Sequence, residues 1–181
     1  MRCRYLGWAG LELEHDGATL VIDPLEDPAA VFAAAGERAA GIVLPVLTAA
    51  PAADGVGNPQ VSWAVEAGGQ RILHAGDTMF HGWWWRAALQ AGPFDAAFLP
   101  INGAVLDFPW RQPASPLPAA MTPEQAGRAL AATRVVPIHF GAFDVAPFYR
   151  SIADAPERFA AAAADAGIPA VALGVADALA L

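Results

Sequence analysis

His74-Ala75-Gly76-Asp77-Thr78, at the end of the apolar run Arg71-Ile72-Leu73, sets an imidazole and a carboxylate where a buried strand opens into a loop. Further along, Arg134-Val135-Val136-Pro137-Ile138-His139-Phe140-Gly141 repeats the arrangement: a β-branched run, then a histidine, then a glycine that permits a sharp turn. Strand ends of this kind are common places for a metal site. Two of them, each offering a metal-compatible ligand, predict one composite site.

The strands around these two segments fall out of periodicity and turn chemistry. Arg4-Tyr5-Leu6, Leu11-Glu12-Leu13-Glu14 and Ala18-Thr19-Leu20-Val21-Ile22, with the turn His15-Asp16-Gly17, read as a β-meander that ends at Asp23-Pro24. A short Ala-rich helix fits between Pro28 and Ala40, followed by the strand Ile42–Leu47, which Pro45 makes an edge strand or an irregular one. Val61–Glu66 and Arg71–His74 flank Gly68-Gly69 as a hairpin. A helix over Trp83–Ala91 stops at Gly92-Pro93, and Asp95–Pro100 is a further buried strand. Asn102–Pro118 reads as a long surface loop. Thr122-Pro123-Glu124-Gln125 supplies an N-cap, an N1 proline and a capping box for a helix reaching about Thr133. Strand 134–138, a helix over Ala155–Ala166 and a last strand Pro169–Leu173 complete the chain.

At 181 residues the chain fits one domain, 1–181, with a single core. Apolar residues make up 56%, yet no stretch approaches the roughly 20 uninterrupted apolar residues of a membrane span, and no apolar h-region follows Met1-Arg2-Cys3-Arg4. A cytoplasmic protein without a membrane partner is the expectation. The lone Cys3 excludes an intramolecular disulfide and a cysteine-cluster zinc site, so any metal must sit on histidine and carboxylate. A net charge of −8 and a pI near 4.7, with scattered basic residues, disfavour nucleic acid.

Among the titratable residues Asp77 leads, because Gly76 lets the backbone bend before it and Thr78 can hydrogen-bond its carboxylate. The competing reading is an Asx-turn or helix N-cap. His139 has a similar alternative as a hydrogen-bonded core imidazole. His74 lies three residues before Asp77, so in extended chain the two side chains point to opposite faces, and His74 reads first as a buried imidazole and second as a ligand. His81 either lines a pocket or sits on the surface, and His15, in a turn, is expected to be solvated. Trp83-Trp84-Trp85 reads as core or interface, with an apolar pocket wall as the alternative.

Taken together, six segments resemble the metallo-β-lactamase superfamily in its lactonase-like, metal-dependent hydrolase branch. They are Leu6-Gly7-Trp8-Ala9-Gly10, Leu20-Val21-Ile22-Asp23-Pro24, His74-Ala75-Gly76-Asp77-Thr78, Phe98-Leu99-Pro100-Ile101-Asn102-Gly103, Met121-Thr122-Pro123-Glu124-Gln125-Ala126 and Val136-Pro137-Ile138-His139-Phe140-Gly141. The resemblance implies an α/β (α+β) fold, a shortened αββα sandwich of two mixed sheets flanked by helices. The meander and the Val61–His74 hairpin are expected to share one sheet, and strands 95–100, 134–138 and 169–173 the other. The resemblance also makes Asp77 the carboxylate that bridges two metal ions, His139 the last histidine ligand, and Asp23 a supporting acid behind the ligands. Upstream of the Gly-Asp-Thr strand the family usually places a histidine ligand, and here the equivalent loop offers Asp54.

The chain departs from the family where it matters for chemistry. The His-x-His-x-Asp-His cluster is missing, since no histidine lies between His15 and His74, and a block looks deleted near residues 40–42. A catalytic zinc usually takes three protein ligands plus water. Asp54, Asp77 and His139 could hold one ion, and a general base is lacking unless Asp77 or His81 substitutes. The expectation is a degenerate hydrolase of a small lactone, ester or phosphoester, with weakly held zinc and a possible homo-oligomer. The alternatives are an inactive remnant serving as a binding or oligomerisation module, and a metal-free small-molecule binder using the tryptophan run.

Overall fold

Consecutive residues of the central strands divide strictly between two cores, which is what alternation requires of a sheet buried on both faces. Ile72, Ala96, Phe98, Val136 and Ile138 belong to one apolar cluster, while Leu73, Ala97, Leu99 and Val135 belong to the other. The computed structural model describes residues 1–24, 42–49, 60–82, 84–107, 117–129, 132–141 and 149–181.

The first sheet contains β1 (Arg2–Gly7), β2 (Gly10–His15), β3 (Ala18–Ile22) and the C-terminal β11 (Ala178–Ala180), in the order β11-β1-β2-β3. It is antiparallel throughout. The second sheet contains β4 (Ile42–Ala49), β5 (Gln60–Ala67), β6 (Gln70–His74), β7 (Ala96–Pro100) and β9 (Val135–Ile138), in that spatial order. It is mixed, with β6, β7 and β9 parallel and the β4-β5-β6 end antiparallel. A two-stranded ribbon pairs β8 (Val105–Leu106) with β10 (Tyr149–Arg150).

Cys3, Tyr5, Leu11, Leu13 and Ile22 of the first sheet meet Val65, Ile72, Phe98 and Ile138 of the second. On the second sheet's other face lie α1 (Trp84–Ala91), α2 (Pro123–Ala126) and α3 (Ala155–Asp165), through Trp84, Ala87, Ala126, Phe159 and Ala163. The described layers therefore run sheet, sheet, helices, in the α+β arrangement of two stacked sheets. The deleted block expected near residues 40–42 falls largely outside the described residues.

Several local expectations hold. The Gly68-Gly69 turn has φ of +58° and +75°, and the register on either side pairs Ala67 with Gln70. β4 is a terminal strand of its sheet and its register shifts between Pro45 and Leu47, so the proline sits at the edge and beside an irregularity. Arg71 fixes the crossover from β6 to β7: its Nη1 donates to the carbonyls of Ala91 at 2.7 Å and Gly92 at 3.2 Å, just where α1 ends. Its backbone amide donates to the Asp95 carboxylate at 2.7 Å.

Three expectations need correction. The β5-β6 hairpin joins β7 and β9 rather than the meander, because the α1 crossover lays β7 parallel beside β6. The closing strand is Ala178–Ala180 and pairs with β1, whereas Pro169–Leu173 contributes only a bridge between Ala170 and Val135. The helix at Pro123 covers four residues instead of reaching Thr133, although its capping box forms: the Thr122 Oγ1 accepts from the Gln125 amide and Gln125 Oε1 accepts from the Thr122 amide. Gly127 ends it against the backbone of α3.

Candidate metal centre

Because β6, β7 and β9 are parallel and in register, their carboxyl ends share one edge of the sheet. His74 closes β6 and His139 follows β9, so both motifs found in the sequence open onto that edge. Such an edge is the usual ligand-binding side of a parallel sheet. Gly76, at φ +69°, turns the chain after His74 and sends Asp77 back towards β9. The outcome is an approach of Asp77 Oδ2 to His139 Nε2 at 3.6 Å.

The β1-β2 turn, Gly7-Trp8-Ala9-Gly10, reaches across from the first sheet to this edge. The His139 amide donates to the Trp8 carbonyl at 2.6 Å, and the Tyr5 hydroxyl donates to the same oxygen at 3.0 Å. The indole of Trp8 lies against the His139 ring, centroids 3.9 Å apart at 39°. One residue on, the Ala9 carbonyl lies 2.8 Å from His74 Nε2 and accepts its proton. Gly10 lets the turn close onto the end of β3, since a Cβ there would stand 2.9 Å from Leu6 Cβ and 3.2 Å from the Asp23 carbonyl.

Backbone strain gathers at the same place. Trp8, Asp23 and His139 have φ of +53°, +45° and +60°, a region that non-glycine residues seldom occupy. Of the five non-glycine residues with positive φ among the described residues, these three fall at the site while Asp16 and Ala176 lie in turns elsewhere, and such clustering is a pointer to function.

Burial and charge set the protonation states. Burial lowers the His139 pKa to about 3, with the nearby His74 acting in the same direction, so the ring is neutral at physiological pH. His74, fully buried, is likewise pushed down by desolvation, against the opposing charge of Asp23. Asp77 goes the other way. Although 53% of its side chain is exposed, crowding on its protein side and the charge of Asp23 push its pKa up to about 6. A neutral imidazole facing a carboxylate that has an acidic neighbour suits a cation more than it suits an ion pair.

Each sequence candidate now has a place. Asp77 and His139 come together, and Asp23 acts on Asp77 and His74 through its charge. His74 takes the buried, hydrogen-bonded role, its Nε2 occupied by Ala9. His81 is half-buried with its ring stacked on Trp84, centroids 4.9 Å apart, and burial lowers its pKa. Asp54 and Trp83 lie outside the described residues. Trp84 is buried in the core while Trp85 is 63% exposed, so these two tryptophans do not form one wall. His15 is less solvated than expected: its ring packs so closely on Gly68 that a Cβ there would meet it at 2.3 Å. The residues missed were Trp8 and Ala9, whose signal was a tryptophan set between glycines in a tight strand-to-strand turn.

Among the described residues no group of three or more His, Cys, Asp or Glu side chains could hold a metal ion. Asp77 and His139 fit a cation by donor chemistry but supply fewer than the three protein ligands of a catalytic zinc.

The stacked sheets, the helices on one face and the pair of motifs at one edge define a hydrolase-like α+β sandwich. The beta-lactamase superfamily domain matches residues 13–140, well over half of the chain, and the chain belongs to the metallo-β-lactamase superfamily. No curated protein matches it. Among solved structures it is similar to Igni18, a metallo hydrolase from the archaeon Ignicoccus hospitalis, at TM-score 0.67 and 16% identity over 98% of this chain and 97% of that one. It is similar to CmlA, a diiron β-hydroxylase from Streptomyces venezuelae, at TM-score 0.74 and 12% identity, covering 99% of this chain but only 54% of that longer one. An isothiocyanate hydrolase from Delia radicum gut bacteria aligns over 99% of both chains at TM-score 0.62 and 13% identity. At these identities the likeness is one of fold.

Proposed function

We propose that this chain is a metal-dependent hydrolase with a reduced ligand set, holding a single divalent cation between Asp77 and His139 and acting on a small lactone, ester or phosphoester. The observation that carries the reading is the 3.6 Å separation of Asp77 Oδ2 and His139 Nε2 at the carboxyl edge of the parallel strands. Two donors each about 2.0–2.2 Å from one ion stand roughly 3–4 Å apart, so no large rearrangement is needed. Imidazole with carboxylate suits zinc among several first-row divalent ions, and Asp54 is the third donor the family position suggests.

When bound, such an ion supplies polarisation of a substrate carbonyl or phosphoryl oxygen and a more acidic bound water. The chain's own residues do the rest. His139 offers an uncharged nitrogen across the whole physiological range, because its pKa lies near 3. Asp77, ionised above about 6, can accept a proton at neutral pH, and His81 is the other candidate base. The substrate in this reading is a small molecule, and nucleic acid is not a partner.

A second reading, a non-catalytic module that binds or oligomerises, draws on the lack of a three-residue metal group among the described residues. Metal analysis and turnover on the purified chain separate the two. The hydrolase reading expects at most one zinc per chain, and slow hydrolysis of simple lactones, esters or phosphodiesters that stops with chelator. Both should disappear in Asp77→Ala and in His139→Ala, since removing either of so few ligands leaves no viable site. Two tightly held ions, or hydrolysis that survives both substitutions, would overturn it, and a chain that takes up no metal and turns over nothing returns the second reading.

A further inference from the structure

An imidazole that binds metal is ordinarily aimed by a hydrogen bond from its far nitrogen to a carboxylate, carbonyl or water. Among the described residues no group aims His139 in that way. Its Nε2 faces Asp77, and its far nitrogen, Nδ1, is buried with no hydrogen-bond partner among the described residues. What touches the ring instead is the indole of Trp8, with centroids 3.9 Å apart.

We propose that Trp8 is a positioning residue for His139, its indole fixing the plane of the imidazole and its carbonyl fixing the backbone from which the imidazole springs. The inference rests on the metal-site reading of Asp77 and His139, and it adds the element that aims the nitrogen. Three observations converge on it. The Trp8 carbonyl takes the His139 amide at 2.6 Å and the Tyr5 hydroxyl at 3.0 Å, so the same residue holds both main chain and ring. The turn that carries Trp8 is anchored one residue on, where the Ala9 carbonyl accepts from the fully buried His74 at 2.8 Å. Finally, Trp8 has a φ of +53°, a conformation that glycine adopts freely and tryptophan does not. At Trp8 that cost is offset by the two hydrogen bonds its carbonyl accepts and by the contact of its ring with His139. His74, absent from the metal pair, thereby gains a role of its own, since it locks the turn that locks His139.

The test compares Trp8→Phe, which keeps an aromatic face, with Trp8→Leu, which keeps apolar bulk without one. The chain has only four histidines, so ¹⁵N-labelled imidazoles resolve individually by NMR. In the metal-free protein, the His139 ring protons should carry an upfield ring-current shift that persists in part in Trp8→Phe and vanishes in Trp8→Leu. Co²⁺ alone serves as the probe of the aimed nitrogen. Its affinity should fall by roughly ten- to a hundredfold in Trp8→Leu, the usual cost of losing a ligand's orienting partner, and stay much nearer wild type in Trp8→Phe. A merely structural role would lower the thermal midpoint of both variants and leave them equal in Co²⁺ affinity. Equal affinities, or an unshifted His139 in the wild type, would overturn the proposal. A wild-type chain that takes up no Co²⁺ overturns the metal reading of the site, while the metal-free shifts still decide whether Trp8 holds the ring.

Discussion

Asp77 has a pKa near 6 in the folded chain against an ordinary 3.8, so the native state holds that proton more tightly than the unfolded state does. Stability from this group is therefore present at low pH and lost as pH rises from about 4 to about 6. His139 works in opposition: with its pKa lowered from 6.5 to about 3, it favours the fold once deprotonated, and its contribution grows as pH rises through the same range. The two partly cancel in the wild type, so the informative quantity is the difference between Asp77→Asn and wild type with chelator present. The two should melt together near pH 4 and separate by pH 7, with Asn the more stable. Because half of the carboxylate is open to water, the gain should be modest, on the order of 1–2 °C. Thermal melts across pH 4–8 check this, and a variant that is less stable at pH 7 would show that Asp77 sits among favourable partners. At this scale the sequence was informative where a residue's backbone neighbours announced its role. Gly76 before Asp77 and Gly141 after His139 do have positive φ, at +69° and +79°. Trp8 stands out in the sequence as a tryptophan in a glycine-flanked turn, but nothing local shows that this turn lands on a histidine of the other sheet.

Elements were legible in kind more than in partnership. Alternation and turn residues found every strand of both sheets except the C-terminal Ala178–Ala180, because each such signal is written within a few residues. Sheet membership is not local, so the sequence pattern groups the β5-β6 hairpin with the meander although it joins β7 and β9. The continuous apolar runs of β7 and β9 do mark strands covered on both faces, as their burial at every position bears out, but such a run does not name the strand beside it. The short α2 shows a different limit. Its capping box is a start signal that worked, but its end is set by α3, which no N-terminal pattern reveals. A Cβ on Gly127 would stand 2.9 Å from Ala162 Cβ, 2.9 Å from the Ala163 amide nitrogen and 3.0 Å from the Phe159 carbonyl. Gly127 has an ordinary helical φ of −60°, so the demand for glycine is steric and not conformational. Gly127→Ala should then cost about 1–3 kcal/mol, as overpacking of a well-filled contact does. Urea denaturation measures it. A neutral or stabilising Ala would mean that α2 and α3 can separate freely.

At the scale of the whole molecule, two sheets are joined at one edge by the β1-β2 turn, and the candidate site lies at that junction. A cation there would bind the folded chain and have no comparable site in the unfolded one, because Asp77 and His139 meet only when β6 and β9 share a sheet and the turn from the first sheet closes on them. Binding must then raise the thermal midpoint by mass action. At a free concentration a hundred times the dissociation constant the added stability is about 2.7 kcal/mol, which in a chain of this size corresponds to a rise of roughly 5–10 °C. The dependence should follow a single saturable site with zinc or cobalt, be reversed by chelator, and be absent in Asp77→Ala and His139→Ala. It should also weaken at acid pH, where the cation competes with the proton on Asp77, whose pKa of about 6 places that competition just below neutrality. A midpoint that does not move with metal, or that moves equally in both alanine variants, would place any bound cation elsewhere on the surface and leave the junction as a structural clasp between the sheets.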